Sequence, residues 1–390
     1  MAQTRNLTQV DAMLNLAKLN ETDVKNESLI LSFIPQIIDS KQVKLLEVSK
    51  DMLKYINSGE RLYVKGNETE NIVVCSNDAT FELKEAETSN SLLVMPSLSE
   101  ATVVEVRDGR KLKSQLVHGI YHTYYELKPM KPKLQTLRRT LARYPYKGKS
   151  PETDSDQSIG LSFTELKRVI QASEAELLSQ INELHTVKIN GKWRLLDIGL
   201  LYSWVTYLDS ILREKQLPLD EVTAEEVEDW MGLFEIKQVN VKCISMFMEE
   251  DRDNLKWNCG AVSRLFALYL LPELRAFDSK DFFAAWEESV PIGVTTCEDH
   301  LRGVALVDYD CNPSLVKYLP EFEMPEDVNE RLDVLFRTRP KWTLEDISPY
   351  IKPLTDGTSN VAALLTKYAR SSTVNGCKYY SSKYANHVTK

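Results

Sequence analysis

Histidine is scarce in this sequence, and its cysteines are not paired. The chain contains 5 His and 6 Cys among 390 residues. The cysteines are Cys75, Cys243, Cys259, Cys297, Cys311 and Cys377, and no C-x-x-C spacing occurs among them. Zinc sites and disulfide frameworks are recognised by closely spaced Cys and His residues. We therefore expect no metal site, and we expect the protein to work in a reducing compartment.

Long hydrophobic runs are also missing. The first 25 residues are polar, and no later stretch approaches the roughly 20 apolar residues that a membrane helix needs. We expect neither a signal peptide nor a membrane partner. The hydrophobic content of 43% and the charged content of 27% are typical of a globular protein. The formal net charge of −9 restricts any nucleic-acid contact to a local basic face.

The motifs of common enzymes are absent. Gly148-Lys149-Ser150 resembles the end of a phosphate-binding loop, but position 143 is Arg where that motif requires glycine. The sequence contains no G-x-G-x-x-G, no G-x-S-x-G and no H-E-x-x-H. No candidate nucleophile occurs in a motif that would place a general base beside it. The sequence therefore predicts a protein that is not an enzyme and binds no cofactor.

The first third of the chain is rich in short β-type runs. They lie at residues 29–31, 43–46, 61–64, 72–74, 80–83, 92–94 and 102–104. Many short strands separated by turn residues suggest a barrel or a sandwich. Few helices are available to cover the sheet, and an open sheet edge needs a cover or a partner. Residues 1–127 are thus interpreted as a β-barrel-like domain completed by a partner subunit. A self-contained small barrel is the alternative, and the residues do not decide between the two.

A basic connector follows at residues 128–160. Its cations lie within 128–149, where no acidic residue occurs, and they are Lys128, Lys131, Lys133, Arg138, Arg139, Arg143, Lys147 and Lys149. Lys and Arg supply the sequence-independent part of nucleic-acid affinity, so the strip is a candidate phosphate contact. The alternative is a solvated basic helix, because Leu134, Leu137 and Leu141 form an apolar stripe at helical spacing. The polar residues that end this stretch are typical of a linker.

The remainder is predicted to contain three winged-helix domains, at 161–213, 214–324 and 325–390. In the first, Ser162 with Glu165 and Ser173 with Glu176 are two successive capping boxes, and Asn190-Gly191 favours a tight hairpin. In the second, strands at 304–308 and 315–318 are predicted behind helices, one of them capped by Ser279. The acidic stretch 214–235 is interpreted as a solvated helical face. The overall fold class is α+β.

The last domain contains the main candidate for nucleic-acid binding. Val361, Leu364, Leu365 and Tyr368 form one helical stripe, and Asn375-Gly376 favours a hairpin after it. From Gly357 onward the chain contains no acidic residue. A winged helix offers its second helix and its hairpin to a partner, often nucleic acid. The predicted DNA-binding residues of this domain and of the connector are Lys367, Arg370, Lys378, Lys383, Lys131, Lys133, Arg138 and Arg139. Lys367 and Arg370 are expected on the second helix, off its apolar stripe, and Lys378 and Lys383 on the hairpin. A solvated surface or a protein-binding wing is the alternative.

Short segments along most of the chain resemble one known family. They include 81–84 with 87–93, Tyr125-Glu126-Leu127 with 131–134, 170–174 with Gly191-Lys192-Trp193-Arg194, and 289–291 with 301–308. Lys341-Trp342-Thr343 and 363–368, joined to Asn375-Gly376, complete the pattern. On these segments the chain resembles the "defective in sister chromatid cohesion" family, an accessory subunit of the alternative (chromosome transmission fidelity) replication factor C clamp loader. Residues 201–260 match the family poorly.

The resemblance implies a non-ATPase subunit in the nucleus. In this family the N-terminal β domain pairs with a small accessory subunit, and together they bind the tail of the large ATPase subunit. The winged helices are associated with DNA, without sequence specificity, and with the leading-strand DNA polymerase. The assembly contains the replication factor C small subunits, acts on the sliding clamp at replication forks and supports sister chromatid cohesion. The partner-binding residues that the resemblance implies are Phe81, Leu83, Thr88, Ser89, Asn90, Leu92 and Leu93. A winged-helix transcription or chromatin regulator is the alternative, and it would require sequence-selective DNA contacts.

Overall fold

The structure is a computed structural model of the whole chain. It describes residues 6–20, 22, 29–34, 43–68, 70–95, 102–105, 111–132, 135–149, 159–251, 254–272, 276–355, 360–374 and 376–383. Lys133, Asn375 and most of the predicted linker lie outside the described residues. Helices and several separate sheets alternate along the chain, so the α+β class predicted from the sequence is confirmed.

The first third consists mainly of strands. In chain order its elements are α1 (Leu7–Leu16), β1 (Leu29–Phe33), β2 (Leu46–Glu47), α2 (Lys50–Asn57), β3 (Tyr63–Lys65), β4 (Val73–Cys75), β5 (Thr80–Val94), β6 (Thr102–Glu105), β7 (Lys111–Val117) and β8 (Gly119–Pro129). Two sequence-based expectations need correction. The runs at 80–83 and 92–94 belong to one continuous strand, because the residues between them include no Gly or Pro that would break it. Helix α2 was not predicted, because its apolar side chains Met52, Leu53, Tyr55 and Ile56 span fewer than two turns.

The chain divides into two compact units, and a segment of unit 2 lies between the two parts of unit 1 in the sequence. Unit 1 comprises residues 1–57 and 82–128, and unit 2 comprises residues 58–81 and 129–390. In unit 1, β1 pairs in parallel with β7, which pairs antiparallel with β6. Strand β2 pairs in parallel with β8, and β8 is the neighbour of β5. In unit 2, β3 and β4 form an antiparallel pair. Residues 58–81, which lie within the predicted N-terminal domain, therefore pack with the later part of the chain.

Unit 2 continues with helices and short strands. The elements up to residue 257 are α3 (Gln135–Leu141), β9 (Leu161–Ser162), α4 (Phe163–Val169), α5 (Glu174–Glu183), β10 (Thr186–Ile189), β11 (Lys192–Leu195), α6 (Ile198–Lys215), α7 (Ala224–Met231), α8 (Lys237–Phe247), β12 (Met248–Asp251) and β13 (Asn254–Trp257). Both predicted capping boxes are present, at Ser162 with Glu165 and at Ser173 with Glu176. Asn190 and Gly191 have φ values of 49° and 80°, as a tight hairpin requires.

The remaining elements complete two more groups. They are α9 (Cys259–Leu270), β14 (Ala276–Asp278), α10 (Ser279–Ser289), β15 (Ala305–Asp308), β16 (Leu315–Tyr318), α11 (Val328–Thr338), β17 (Trp342–Thr343), α12 (Leu344–Ile351), α13 (Val361–Tyr368), β18 (Ala369–Val374) and β19 (Cys377–Ser382). A 3₁₀ helix at Glu298–Leu301 precedes β15. The cap of α10 is Asp278 and not Ser279, since the Asp278 carboxylate accepts the N–H groups of Lys280 and Asp281.

One order of elements occurs three times in unit 2. A helix, a strand, two helices and a hairpin follow one another, and the last strand lies between the other two in the sheet. The sheet orders are β10-β11-β9, β14-β16-β15 and β17-β19-β18. We name these groups the first module (α3, β9, α4, α5, β10, β11), the second module (α9, β14, α10, Glu298–Leu301, β15, β16) and the third module (α11, β17, α12, α13, β18, β19). In the second module the 3₁₀ helix takes the position of the second of the two helices.

The three hydrophobic clusters found among the described residues all lie in unit 2. The largest contains Trp204, Phe266 and Trp286, each with no exposed surface. The second lies in the third module around Trp342, and the third lies in the first module around Leu166.

The acidic stretch 214–235 is only partly a solvated face. Glu235 is 2% exposed and accepts hydrogen bonds from Tyr146 Oη at 2.5 Å and from the Lys149 backbone at 2.8 Å.

Candidate partner and nucleic-acid interfaces

Helix α13 of the third module is fixed on the domain core by one side and exposed on the other. Asn360 caps it by accepting the Ala363 N–H at 2.8 Å. Leu365 is fully buried in the cluster around Trp342, and Val361 and Leu364 pack against that cluster. Lys367 is exposed beside the buried stripe, and its ammonium lies 5.2 Å from the ring centroid of Tyr368. The sequence stripe therefore sets the direction of the only basic side chain of α13.

The hairpin that follows α13 has one core-facing side and one outer side. In the register of β18 and β19, Ser371 is opposite Tyr380 and Arg370 is opposite Ser381. Ala369 and Tyr380 are buried. Because side chains alternate along a strand, Ser371, Thr373, Lys378 and Tyr380 share the core-facing side, while Arg370 and Ser372 lie on the outer side. Gly376 has a φ of 81° at the tip. Its neighbour Asn375 lies outside the described residues.

The four predicted cations of the third module lie at the end of α13 and along the hairpin, and they do not share one face. Lys367, Arg370, Lys378 and Lys383 are all exposed. Arg370 lies on β18 and not on the second helix as predicted, because α13 ends at Tyr368. The Lys383 ammonium donates to the Lys367 carbonyl at 2.8 Å, which joins the end of the hairpin to the end of α13. Arg370 and Lys378 project from opposite sides of the hairpin. The arrangement suits a partner that the helix end and hairpin contact together, such as a groove between two phosphate strands.

The predicted cations of the connector have different surroundings. Lys131 is exposed. Arg138 is half-buried, and its guanidinium lies 3.9 Å from the ring centroid of Phe322. Burial lowers the pKa of Arg138, although an arginine remains charged in proteins. Arg139 is exposed and donates to the Met324 carbonyl at 3.3 Å. Helix α3 thus packs by Leu137 and Leu141, both fully buried, while two of its cations contact the segment before the third module.

Residues 58–81 hold the start of α5 in the first module. The Lys65 ammonium donates to the carbonyls of Ile170 at 3.2 Å and Ala172 at 2.6 Å. The Ala175 N–H donates to the Asn77 carbonyl at 3.0 Å. Burial lowers the pKa of Lys65. These contacts cover the N-terminal turn of the helix that corresponds to α13 of the third module, so that turn is already occupied by protein.

Unit 1 buries few of its apolar side chains. The large apolar side chains that are buried among its described residues are Met52, Val117, Tyr121 and Leu127. Those that are exposed are Leu7, Val10, Met13, Leu16, Leu19, Leu29, Ile30, Leu31, Phe33, Val43, Leu46, Leu53, Ile56, Leu92, Leu93, Val94, Val103 and Leu116. Exposed apolar patches mark interaction sites, and runs of three exposed large apolar residues occur at 29–31 and at 92–94. We name this set the exposed apolar surface of unit 1.

The predicted partner-binding residues divide into two groups. Phe81 is 4% exposed and belongs to unit 2. Leu83 and Thr88 are half-buried, whereas Ser89, Asn90, Leu92 and Leu93 are exposed near the end of β5. Strand β1 was not among the predicted partner-binding residues. Leu29, Ile30 and Leu31 are 41%, 42% and 40% exposed, so both faces of β1 are open. Three consecutive large apolar residues in a strand at a sheet edge are a sequence signal for such a partner-binding surface.

The described part of the chain offers neither a metal-binding cluster nor a membrane-spanning helix. No group of three or more described His, Cys, Asp or Glu side chains could hold a metal ion. No described helix is both long enough and apolar enough to cross a membrane.

Comparison with known proteins identifies the family. The family model of the sister chromatid cohesion protein Dcc1 matches residues 43–351. A protein named sister chromatid cohesion protein DCC1 from Mus musculus is 33% identical to this chain over 393 residues, covering 98% of each. The protein of that name from Homo sapiens is 32% identical over 391 residues, covering 98% of this chain and 99% of its own length. The Saccharomyces cerevisiae protein is 22% identical over 364 residues. The chain therefore belongs to the Dcc1 family of sister chromatid cohesion proteins.

Proposed function

We propose that this chain is a non-catalytic scaffold subunit of an alternative replication factor C clamp loader. In this proposal it acts in the nucleus, on the sliding clamp at replication forks, and supports sister chromatid cohesion. Unit 1 joins the chain to a small accessory subunit and to the large ATPase subunit, and through them to the replication factor C small subunits. The modules of unit 2, proposed to be winged helices, link the loader to DNA and to the leading-strand DNA polymerase.

The observation that carries the scaffold proposal is the exposed apolar surface of unit 1. Burying a large apolar side chain stabilises a protein or complex by about 1.5–3 kcal/mol, so leaving many of them in water is costly. Among the described strands, β1 is at one edge of its sheet and β6 is at the other. An added strand can pair with an exposed edge while its side chains cover the adjacent face. A subunit that supplies such strands would bury this surface.

Comparison of the three modules supports a DNA contact by the third. The second helix of the first module, α5, contains Glu174, Glu176 and Glu183 and no Lys or Arg. The corresponding 3₁₀ helix of the second module begins with Glu298 and Asp299. Helix α13 contains Lys367 and no acidic residue. The hairpins of the first and third modules both contain cations and no acid, so these modules differ at the helix. Phosphates are attracted by cations and repelled by carboxylates, which favours the third module.

The first module is better suited to a protein partner. Its helix α5 is acidic, and the start of α5 is covered by residues 58–81. A polymerase or another protein remains compatible with the open parts of this module, whereas a phosphate backbone would meet like charge. We therefore assign polymerase binding to the first module and DNA binding to the third.

The proposal is tested by isolating the full-length chain from its own cells with its stoichiometric partners. Recovery of the replication factor C small subunits together with a large ATPase subunit is expected. Recovery of the chain alone, or with transcription factors and no clamp-loader subunit, would overturn the proposal. Competition between unrelated DNA duplexes separates it from the transcription-regulator alternative, because a scaffold should bind them equally.

A further inference from the structure

Strand β18 exposes three consecutive hydroxyl side chains beside the basic residues of the third module. Ser371, Ser372 and Thr373 are all exposed. Among the described strands, β18 is at the edge of its sheet and pairs only with β19. One edge of its backbone is therefore open to another protein. An extended, open segment of this kind is accessible to a modifying enzyme.

The strand register places each of two hydroxyls on the same side as a cation. Ser372 follows Arg370 by two positions, so both lie on the outer side of the hairpin. Thr373 is directly opposite Lys378 on the other side. Directly opposite residues have Cβ atoms about 4.5–5.5 Å apart, within reach of a long side chain. A negative group on either hydroxyl would thus meet a cation of its own chain.

We propose that Ser372 and Thr373 are phosphorylation sites that switch off DNA contact by the third module. The inference rests on the proposed function of that module. The hydroxyl oxygen attacks the γ-phosphorus of ATP, an O–P bond forms, and the bond from that phosphorus to the bridging oxygen breaks. ADP leaves, and the hydroxyl proton passes to a carboxylate base of the kinase. A kinase with an acidic substrate cleft fits, because Arg370 lies two and three positions ahead of the acceptors and residues 360–383 contain no acid.

The electrostatic consequence follows from the same geometry. A phosphorylated Ser or Thr carries about −1.5 to −2 charge at pH 7 and three acceptor oxygens. A phosphate on Ser372 pairs with Arg370, and one on Thr373 pairs with Lys378, by short charge-assisted hydrogen bonds. These cations are then neutralised within the chain. Both phosphates also repel the DNA backbone, so affinity falls for two reasons.

The test uses the full-length chain, a protein kinase that prefers basic residues ahead of its acceptor together with ATP, and a fluorescent DNA duplex. Mass spectrometry should locate phosphate on Ser372 or Thr373, and anisotropy should show DNA affinity falling by about tenfold or more. The dependence of affinity on salt should weaken by about two phosphate contacts. The Ser372→Ala/Thr373→Ala chain, treated in the same way, should keep its affinity.

Charge substitutions supply a second, independent measurement. Ser372→Asp/Thr373→Asp should weaken DNA binding, whereas Ser179→Asp, at an exposed position on acidic α5, should not. Phosphate confined to other residues, or tight binding by the phosphorylated chain, overturns the inference and leaves the proposed function standing. Failure of the untreated chain to bind DNA overturns the DNA part of the proposed function, and the inference with it.

Discussion

Thr80 donates a hydrogen bond to the Glu176 carboxylate over 2.6 Å, although the two residues are 96 positions apart in the sequence. The same Thr80 oxygen accepts the Ser173 N–H at 2.9 Å. Glu176 is also the acidic member of the capping box of α5. A residue from the β-rich first third is in this way part of the helix cap of the first module. Segment 58–81 and the first module therefore pack together within unit 2.

The first prediction concerns the stability of this junction. Thr80 is 1% exposed. Thr80→Val keeps the side-chain shape but leaves the Ser173 N–H without that acceptor, and it removes a hydrogen bond to a charged group. The free energy of unfolding should fall by about 1–3 kcal/mol, as urea denaturation followed by circular dichroism would measure. Ser179→Ala, at an exposed position of α5, is the control, and it should change stability by less than about 0.5 kcal/mol. Equal stability of the two variants would contradict a stabilising role for Thr80.

The second prediction concerns acid sensitivity through His185. Burial, followed by the positive charges of Arg138 and Lys242, lowers the pKa of His185 from 6.5 to about 4. Its Nδ1 atom is buried and has no hydrogen-bond partner among the described residues. The unfolded chain binds the proton more tightly than the folded chain. The stabilising contribution of neutral His185 is therefore complete above pH 6.5 and is lost as the pH falls from 6.5 towards 4.

The loss should amount to up to about 3 kcal/mol across that window. Urea unfolding at a series of pH values would measure it. His185→Gln removes the titrating group, so the stability of this variant should depend less on pH between 6.5 and 4. A variant with the pH dependence of the wild-type chain would show that another group is responsible.

The third prediction concerns the cations of the third module. Lys367→Glu/Arg370→Glu/Lys378→Glu should weaken DNA binding by more than tenfold, because each reversal removes a phosphate contact and adds repulsion. The slope of log affinity against log salt should decrease by about one for each phosphate that the variant no longer binds. A gel-shift titration at several salt concentrations would measure both quantities.

A matched control separates local contacts from total charge. Arg168→Glu/Lys188→Glu/Lys280→Glu changes the net charge equally at exposed positions in the first and second modules. This control should retain most of the affinity. Equal weakening of the two triple variants would mean that overall charge, and not the third module, governs binding.

The fourth prediction concerns the exposed apolar surface of unit 1. Leu92 is 38% exposed and adjacent to exposed Ser91 on β5. Leu92→Asp should reduce co-purification of the proposed accessory and large ATPase subunits, because a carboxylate at an apolar interface must lose its water. Ser91→Asp adds the same charge to the same strand and should reduce it less. Thermal unfolding of the isolated chain should be similar for both variants, because neither position is buried. A full complex with Leu92→Asp would exclude this part of β5 from the interface.

Local features of the fold could be predicted because they depend on residues a few positions apart. The capping boxes at Ser162 and Ser173 and the hairpin at Asn190-Gly191 are of this kind. The apolar stripe of α13 likewise determines that Leu365 is buried and that Lys367 is exposed. Prediction failed where the structure of a segment depends on the elements that pack against it. The polar residues of β5 favoured a break, yet the strand continues to Val94.

The sequence by itself determined the family, the α+β class, the capping boxes at Ser162 and Ser173, and the concentration of positive charge in the last module. Only the tertiary structure decided that residues 58–81 join unit 2, that Glu235 is buried and that Arg138 stacks on Phe322. The physical reason is the range of the interactions. Caps, stripes and tight turns are closed by bonds between near neighbours, whereas burial and long-range hydrogen bonds depend on which distant surfaces pack together once the conformational entropy of the chain has been overcome.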